Sequence, residues 1–473
     1  MGVLLAAARV PRRKLVAIVD RFFLANLLVF FALLQLWFQR EWVARAFFVW
    51  TTVFNLFVVS VFWSVVSDVF RPEQGRRLFG CVAAGAATRN TRNGSGGVTM
   101  SITRRRFLHA TAAAGALPLL TRCAGAMGAG AGADAKGGKK LRLLILGGTK
   151  YLGPELVNEA QARGHVLTLF NRGKTNPQLF PDLEKLHGDR NGDLKSLEGR
   201  SWDAVLDTSG YVPKQVAASA GLLSKRVAQY VFISTISVYP DGMKPGSDET
   251  AAVQTVPDPT SEDVQKHYGG LKALCEAAAE AAMPGRVTNV RPGLIVGPGD
   301  PTDRFTYWPV RISRGGDVLA PGSGEDPAQL IDVRDLASWV ITAVERKHVG
   351  VFNALGPAKK MTMREMLEGC RRGVGSDARL VWADAKVLEK NEVSPWMDMP
   401  VWTGGDAGFA SISNARAVAA GMTFRPIDAT AKDTLAWFKT QPPERRAKLR
   451  AGVTPEREEK VLQALRAPAQ AAG

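Results

Sequence analysis

From Leu141 onward this 473-residue chain reads as an α/β fold, a doubly wound parallel sheet with helices on both faces and a smaller C-terminal substrate lobe. Three observations predict it. Apolar runs of strand length alternate with stretches of helical periodicity. The run Leu143–Leu146 passes straight into Gly147-Gly148-Thr149-Lys150-Tyr151-Leu152-Gly153, a strand, a glycine turn and the opening of a helix. Such a turn presents backbone N–H groups and a helix N-terminus to a dinucleotide pyrophosphate. Finally, Tyr268 and Lys272 stand four residues apart, so on a helix a phenol and an ammonium share one face.

The residues ahead of Leu141 are of a different kind. The formal charge is +17, but residues 1–99 carry a net +8 and residues 100–140 a net +6, leaving +3 for the remainder. The α/β part therefore lacks the basic footprint of a nucleic-acid binder, and nucleic acid is not an expected partner. Residues 22–38 and 46–66 are almost wholly apolar and each is about the length that spans a bilayer core. Arg12, Arg13 and Lys14 before the first, and Arg71, Arg76 and Arg77 after the second, predict a transmembrane hairpin with both ends in the cytoplasm. The stretch Val61-Phe62-Trp63-Ser64 to Gly75-Arg76-Arg77-Leu78-Phe79-Gly80 resembles part of an ATP/ADP-translocase-like transporter, over about two helices only. A polar run, Thr88 to Gly97, then reads as linker.

Met100 opens a second segment. Thr103-Arg104-Arg105-Arg106-Phe107-Leu108, a mildly apolar stretch to Leu120 and small residues from Ala124 to Ala135 resemble a twin-arginine export signal. The resemblance implies a start at Met100, the twin-arginine machinery as partner and a periplasmic or exported product. If residues 1–99 are retained, residues 22–66 place the chain in the inner membrane. Arg122 occupies the small-residue position of a lipoprotein box, so lipidation at Cys123 is not expected. Cys81, Cys123, Cys275 and Cys370 form no CxxC and histidine is scarce, so no metal site is expected.

Along the α/β part, strands are predicted at Leu143–Leu146, Val166–Phe170, Ala204–Leu206, Tyr230–Ile233, Val287–Val290 and Val351–Ala354, with a further strand leading into His187-Gly188-Asp189-Arg190. Helices are predicted at Gly153–Arg163 and Gln215–Ser224. Thr454-Pro455-Glu456 reads as an N-cap and first-turn proline of a surface helix to Arg466. The second strand ends in Phe170-Asn171-Arg172-Gly173-Lys174, where NAD-binding units usually offer a carboxylate to the ribose 2′-hydroxyl. Arg172 and Lys174 offer positive charge instead, which pairs with a 2′-phosphate. NADP(H) is therefore the expected cofactor, with NAD(H) the alternative. Asp189 is placed to accept a hydrogen bond from the adenine amine, with Arg190 beside it. Ser209 lies in the segment that passes beneath the nicotinamide.

These motifs come in a family order. Gly147-Gly148-Thr149…Gly153, Gly188-Asp189, Ile233-Ser234-Thr235…Val238-Tyr239, Tyr268…Lys272, Arg291-Pro292…Gly297-Pro298-Gly299 and Ile331-Asp332-Val333-Arg334-Asp335 resemble an extended short-chain dehydrogenase/reductase of the NAD-dependent epimerase/dehydratase family. The resemblance covers residues 141 to about 440, with a Rossmann-type sheet and a substrate lobe mostly over 293–440, and leaves 441–473 as a helical tail. It implies that Tyr268 is the acid/base, that Lys272 lowers its pKa and holds the cofactor ribose, and that Thr235 hydrogen-bonds the reacting oxygen. A phenol with a pKa of about 10 needs such help to act near pH 7.

Two departures shape the expected activity. Ile236-Ser237 stand where similar 4,6-dehydratases carry an Asp-Glu pair, so dehydration is disfavoured, leaving epimerisation or carbonyl/alcohol redox on a hydroxyl-bearing small molecule such as a sugar or sugar nucleotide. Lys150 replaces the middle glycine of the turn, as in relatives resembling chloroplast stem-loop RNA-binding proteins. The alternative is thus a nucleotide- or RNA-binding module on the same fold without turnover. Arg304, Tyr307, Trp308, Trp396 and Trp402 are candidates for lining the substrate lobe. The sequence carries no signal of oligomeric state, and a homo-oligomer is compatible with this reading.

Overall fold

The computed structural model describes residues 139–466. The membrane hairpin and export-signal readings fall on residues 1–138 and lie outside that range. Among the described residues no helix is long and apolar enough to cross a membrane.

In chain order the elements are β1 (Arg142–Leu146), α1 (Leu152–Ala162), β2 (Val166–Asn171), β3 (Glu184–His187), β4 (Ala204–Asp207), α2 (Pro213–Leu223), β5 (Gln229–Ile233), α3 (Val264–Ala282) and β6 (Val287–Pro292). There follow β7 (Ile295–Val296), α4 (Tyr307–Ile312), β8 (Asp317–Pro321), β9 (Ile331–Asp332), α5 (Val333–Glu345) and β10 (Gly350–Ala354). The last are α6 (Met363–Val374), β11 (Arg379–Ala383), α7 (Ala385–Lys390), α8 (Ala415–Ala419), α9 (Ile427–Lys439), α10 (Pro443–Ala447) and α11 (Pro455–Arg466). Every predicted strand takes its place in one seven-stranded sheet of order β10-β6-β5-β4-β1-β2-β3, parallel throughout.

The sheet explains the unbroken apolar runs. Along β1, Leu143 and Ile145 face α1 and α5, in a cluster with Leu156, Val157, Leu336 and Val340. Leu144 and Leu146 face the other way, in a cluster with Val216 and Ala220 of α2 and Cys275 and Ala279 of α3. A strand covered on both faces has no polar side to show. Each such buried leucine stabilises the fold by roughly 1.5–3 kcal/mol. The strand order turns back on itself between β1 and β4, and that reversal opens a crevice at their carboxyl ends.

The lobe, expected mostly over 293–440, has a core of its own. Its core is a parallel pair, β8 and β11, packed with Trp308, Met366, Leu367, Cys370 and Trp402. The chain leaves it midway, because α5 and Phe352 of β10 are apolar enough to complete the main core. The tail helix α11 forms where its cap and proline place it, but it is no mere surface helix. Val461 and Leu462 are buried in the lobe core, and the buried Glu458 carboxylate accepts from Arg311 Nε (2.6 Å) and the Leu319 N–H (3.0 Å).

Candidate active site

The crevice is a cavity of about 840 Å³, lined on one side by the glycine turn and on the other by Thr235, Tyr268 and Lys272. The turn is shaped by its glycines. Gly147 and Gly148 have φ of 111° and 86°, a region that favours glycine. A Cβ at Gly153 would sit 2.6 Å from the Gly148 carbonyl carbon, so only glycine lets α1 start this close to the turn. Asn171 braces the other edge: its Nδ2 donates to the Gly147 carbonyl (3.1 Å) while its Oδ1 accepts from the Gly173 N–H (2.9 Å). Thr149 is buried, and its carbonyl accepts from Asn176 Nδ2 at 2.8 Å. Leu152 anchors the helix start in the core. Lys150, Arg172 and Lys174 are exposed and line the cavity, with no ion pair among the described residues. Tyr151 turns its hydroxyl inward, where it has no hydrogen-bond partner. Burial, then the carboxylates of Asp300 and Asp332, hold that phenol well above its ordinary pKa.

The β3–β4 side adds Asp189 and Arg190 to the cavity wall. Asp189 lies on the cavity wall, its carboxylate accepting from the Asn191 N–H (2.9 Å). Arg190 lines the cavity as well, and its guanidinium is engaged by protein groups. Nη1 and Nη2 donate to the two oxygens of Asp207 at 2.5 and 2.8 Å, and Nη2 also reaches Ser219 Oγ (2.7 Å). The cause is desolvation: Asp207 is wholly buried, and its carboxylate needs a counter-charge there. Arg190 is thus a positioning residue. The same carboxylate accepts from the Ser209 N–H (3.0 Å), and Ser209 Oγ, facing the cavity, donates to the Leu146 carbonyl (3.2 Å).

Opposite stands the hydroxyl end of β5. Thr235 caps a short turn, its Oγ1 accepting from the Ser237 N–H at 3.1 Å. Helix α3 begins on the Asp263 cap and departs from helical geometry at His267 (φ −124°, ψ 28°), immediately before Tyr268. Gly269 then lets α3 press against the β5 end; a Cβ there would run into the Ser237 carbonyl. That approach brings Tyr268, 37 % exposed, beside Thr235. Burial raises the phenol's pKa and the neighbouring Tyr211 adds to this, while the nearby Thr235 hydroxyl and the charge of Arg304 pull it down.

Lys272 lines the cavity wall, but no side-chain acceptor takes its amine among the described residues. The amine instead donates to the carbonyls of Gly210 (2.8 Å) and Ile233 (2.6 Å) and lies 4.1 Å from the centre of the Phe232 ring. Only 4 % exposed, it has its pKa pushed down to about 8 by burial. This value lies below the ordinary ~10.4, so between the two the unfolded chain holds the extra proton and stability rises with pH. Below about pH 8 the full cost of burying the charge applies. Each pKa unit is worth ~1.4 kcal/mol, and the two carbonyl bonds return part of it. Lys272→Met is therefore expected to stabilise the protein at pH 7 by ~1–2 kcal/mol, an advantage that shrinks toward pH 10. Melting curves across that range check it; a variant that melts lower at pH 7 contradicts it.

Two features were not legible in the sequence. Ser234 Oγ is buried on the cavity wall without a partner, ready for a ligand. Tyr211 presents a second phenol, its ring centre 5.5 Å from Lys272 Nζ. The five lobe candidates divide: Tyr307, Trp308 and Trp402 are core residues, whereas Arg304 and Trp396 line the cavity.

A parallel sheet of this order, with a glycine turn at its topological switch point and a Tyr/Lys helix across the crevice, defines a Rossmann-like α/β fold. Residues 143–354 match the model of the NAD dependent epimerase/dehydratase family, which supports that family for this part of the chain. The chain is 27% identical over 301 residues to the chloroplast stem-loop binding protein of 41 kDa b of Arabidopsis thaliana, across 59% of this chain and 74% of that protein. It is 27% identical over 256 residues to epimerase family protein SDR39U1 of Bos taurus, across 50% and 82%. The crystal structure of human SDR39U1 with NADPH aligns at a TM-score of 0.44 and 21% identity, across 62% and 99%.

Proposed function

We propose that this protein is an NADP(H)-dependent epimerase or reductase acting on a hydroxyl-bearing small molecule, a sugar or sugar nucleotide being the expected class. One observation carries the reading: the phenol of Tyr268, the hydroxyl of Thr235 and the amine of Lys272 line the same cavity as the glycine turn. The residues present fit a dinucleotide. The turn leaves room where side chains would intrude, Ser209 and Ser234 offer hydroxyls, and Arg172 and Lys174 offer uncommitted cations at the end of β2. When bound, such a cofactor supplies and accepts the hydride.

The chain's own groups do the rest. Thr235 fixes the reacting oxygen beside the Tyr268 hydroxyl. Tyr268 gives a proton to that oxygen when a carbonyl is reduced and takes it back when an alcohol is oxidised. Its raised pKa keeps the phenol protonated at neutral pH, which favours the donating direction until further positive charge enters the cavity. Lys272 holds the Gly210 and Ile233 backbone at the cavity floor. An export signal of the twin-arginine kind would deliver such a protein folded, with its nucleotide already seated.

Nucleotide titration tests the reading. NADPH is expected to bind at least about tenfold tighter than NADH, one bidentate 2′-phosphate contact being worth ~1.5–3 kcal/mol. Arg172→Ala should remove most of that difference. Equal affinities, or an NADH preference, would remove the NADP(H) assignment. The likeness to a stem-loop binding protein favours a second reading, RNA binding without turnover. Salt-dependent RNA binding that survives Tyr268→Phe, with no redox activity on any alcohol, would select it.

A further inference from the structure

We propose that the substrate carries a carboxylate and that Arg304, seated over Trp396 in the same cavity as Tyr268, receives it; this rests on the reading of Tyr268 as acid/base. Arg304 is built into place rather than left on the surface. Asp300, buried on the cavity wall, accepts from the Thr302 N–H (2.8 Å) and hydroxyl (2.7 Å). The Thr302 oxygen in turn accepts from Arg304 Nε (3.2 Å). The guanidinium carbon lies 5.2 Å from the centre of the Trp396 ring. Among the described residues no carboxylate pairs with it, and neither Nη has a hydrogen-bond partner. A guanidinium with its Nε tied and its other donors free offers a fixed fork to an oxyanion.

Trp396 is held at a strained position. Its φ is 63°, its N–H donates to the Trp402 carbonyl (3.0 Å), and Trp402 is pinned by Asp326 (2.7 Å). A bulky residue in that region costs free energy and tends to persist where the ring has a task. The ring gives the ligand an apolar wall beside the cation. Arg304 and Tyr268 line the same cavity, so an anion held by the guanidinium shares that cavity with the reacting hydroxyl. The remaining cations of the cavity mouth, Lys150, Arg172 and Lys174, belong to the glycine-turn end. A single free guanidinium matches a single negative charge, and its planar fork fits the planar carboxylate in two parallel bonds.

The test is ligand binding, which needs no turnover. Glucuronate, 3-hydroxybutyrate, glucose, inorganic phosphate and UDP are titrated into the full chain by saturation-transfer NMR, with and without NADP+. At least one of the two carboxylates should bind about tenfold tighter than glucose, and Arg304→Met should abolish that preference while leaving the NADP+ Kd unchanged. Arg304→Gln serves if the methionine variant does not fold. The proposal is overturned if neither carboxylate outbinds glucose, if the preference survives the substitution, or if only phosphate or UDP loses affinity. Tyr268→Phe separates the two ideas: it should keep the carboxylate preference, whatever it does to turnover.

Discussion

Tyr268→Phe is expected to lower kcat by about 10²–10⁴-fold, the usual range for removing a general acid/base, while changing nucleotide affinity by less than about twofold. The asymmetry follows from position. The phenol is the acidic group next to Thr235 in the cavity, whereas the glycine turn, Asn171 and Ser209 are untouched by its loss. Phenylalanine keeps the ring, so the packing of α3 on the β5 end survives, and the loss should appear in the chemical step rather than in KM. The raised phenol adds a directional signature. In the wild type, alcohol oxidation should accelerate as pH rises and more phenolate forms, while carbonyl reduction should stay level through neutral pH. Steady-state rates in both directions check this; a variant retaining more than about a tenth of wild-type kcat contradicts it.

Asp207→Asn is expected to cost about 3–5 kcal/mol of stability, the largest such effect in the site, because it strands a buried guanidinium. Asp207 is wholly buried and accepts from Arg190, the Tyr230 hydroxyl (2.7 Å) and the Ser209 N–H (3.0 Å). Asparagine has nearly the same shape, but Arg190 cannot shed its proton to compensate. The damage should spread to function. The segment after β4 carries Ser209 and the Gly210 carbonyl that holds Lys272, so nucleotide affinity should fall with stability. Urea unfolding measures the first effect and titration the second. A loss under about 1 kcal/mol would mean that the pair is solvated or replaceable.

What could be read in advance was local. The glycine turn, the Tyr/Lys spacing and each strand of the main sheet depend on neighbours a few residues away, and apolar runs buried on both faces announce themselves. The partner of Arg190 was not legible, because Asp207 is brought close only by the sheet. The direction of Lys272 was not legible either, since the carbonyls of Gly210 and Ile233, from two other elements, fix it. The lobe's own strand pair was hidden because nothing in Arg379–Ala383 reveals that it pairs with Asp317–Pro321. The burial of α11 was hidden in the same way, since it depends on Arg311 meeting Glu458. Trp396 and Trp402 illustrate the limit well: two tryptophans in one loop, one facing the cavity and one in the core.

The most direct measurement is a crystal structure of the protein with NADP+. The account predicts the pyrophosphate on the Gly147–Gly153 turn, the 2′-phosphate beside Arg172, and the nicotinamide between Ser209 and the Thr235/Tyr268 pair. A nucleotide seated elsewhere, or a nicotinamide turned away from Tyr268, would contradict it.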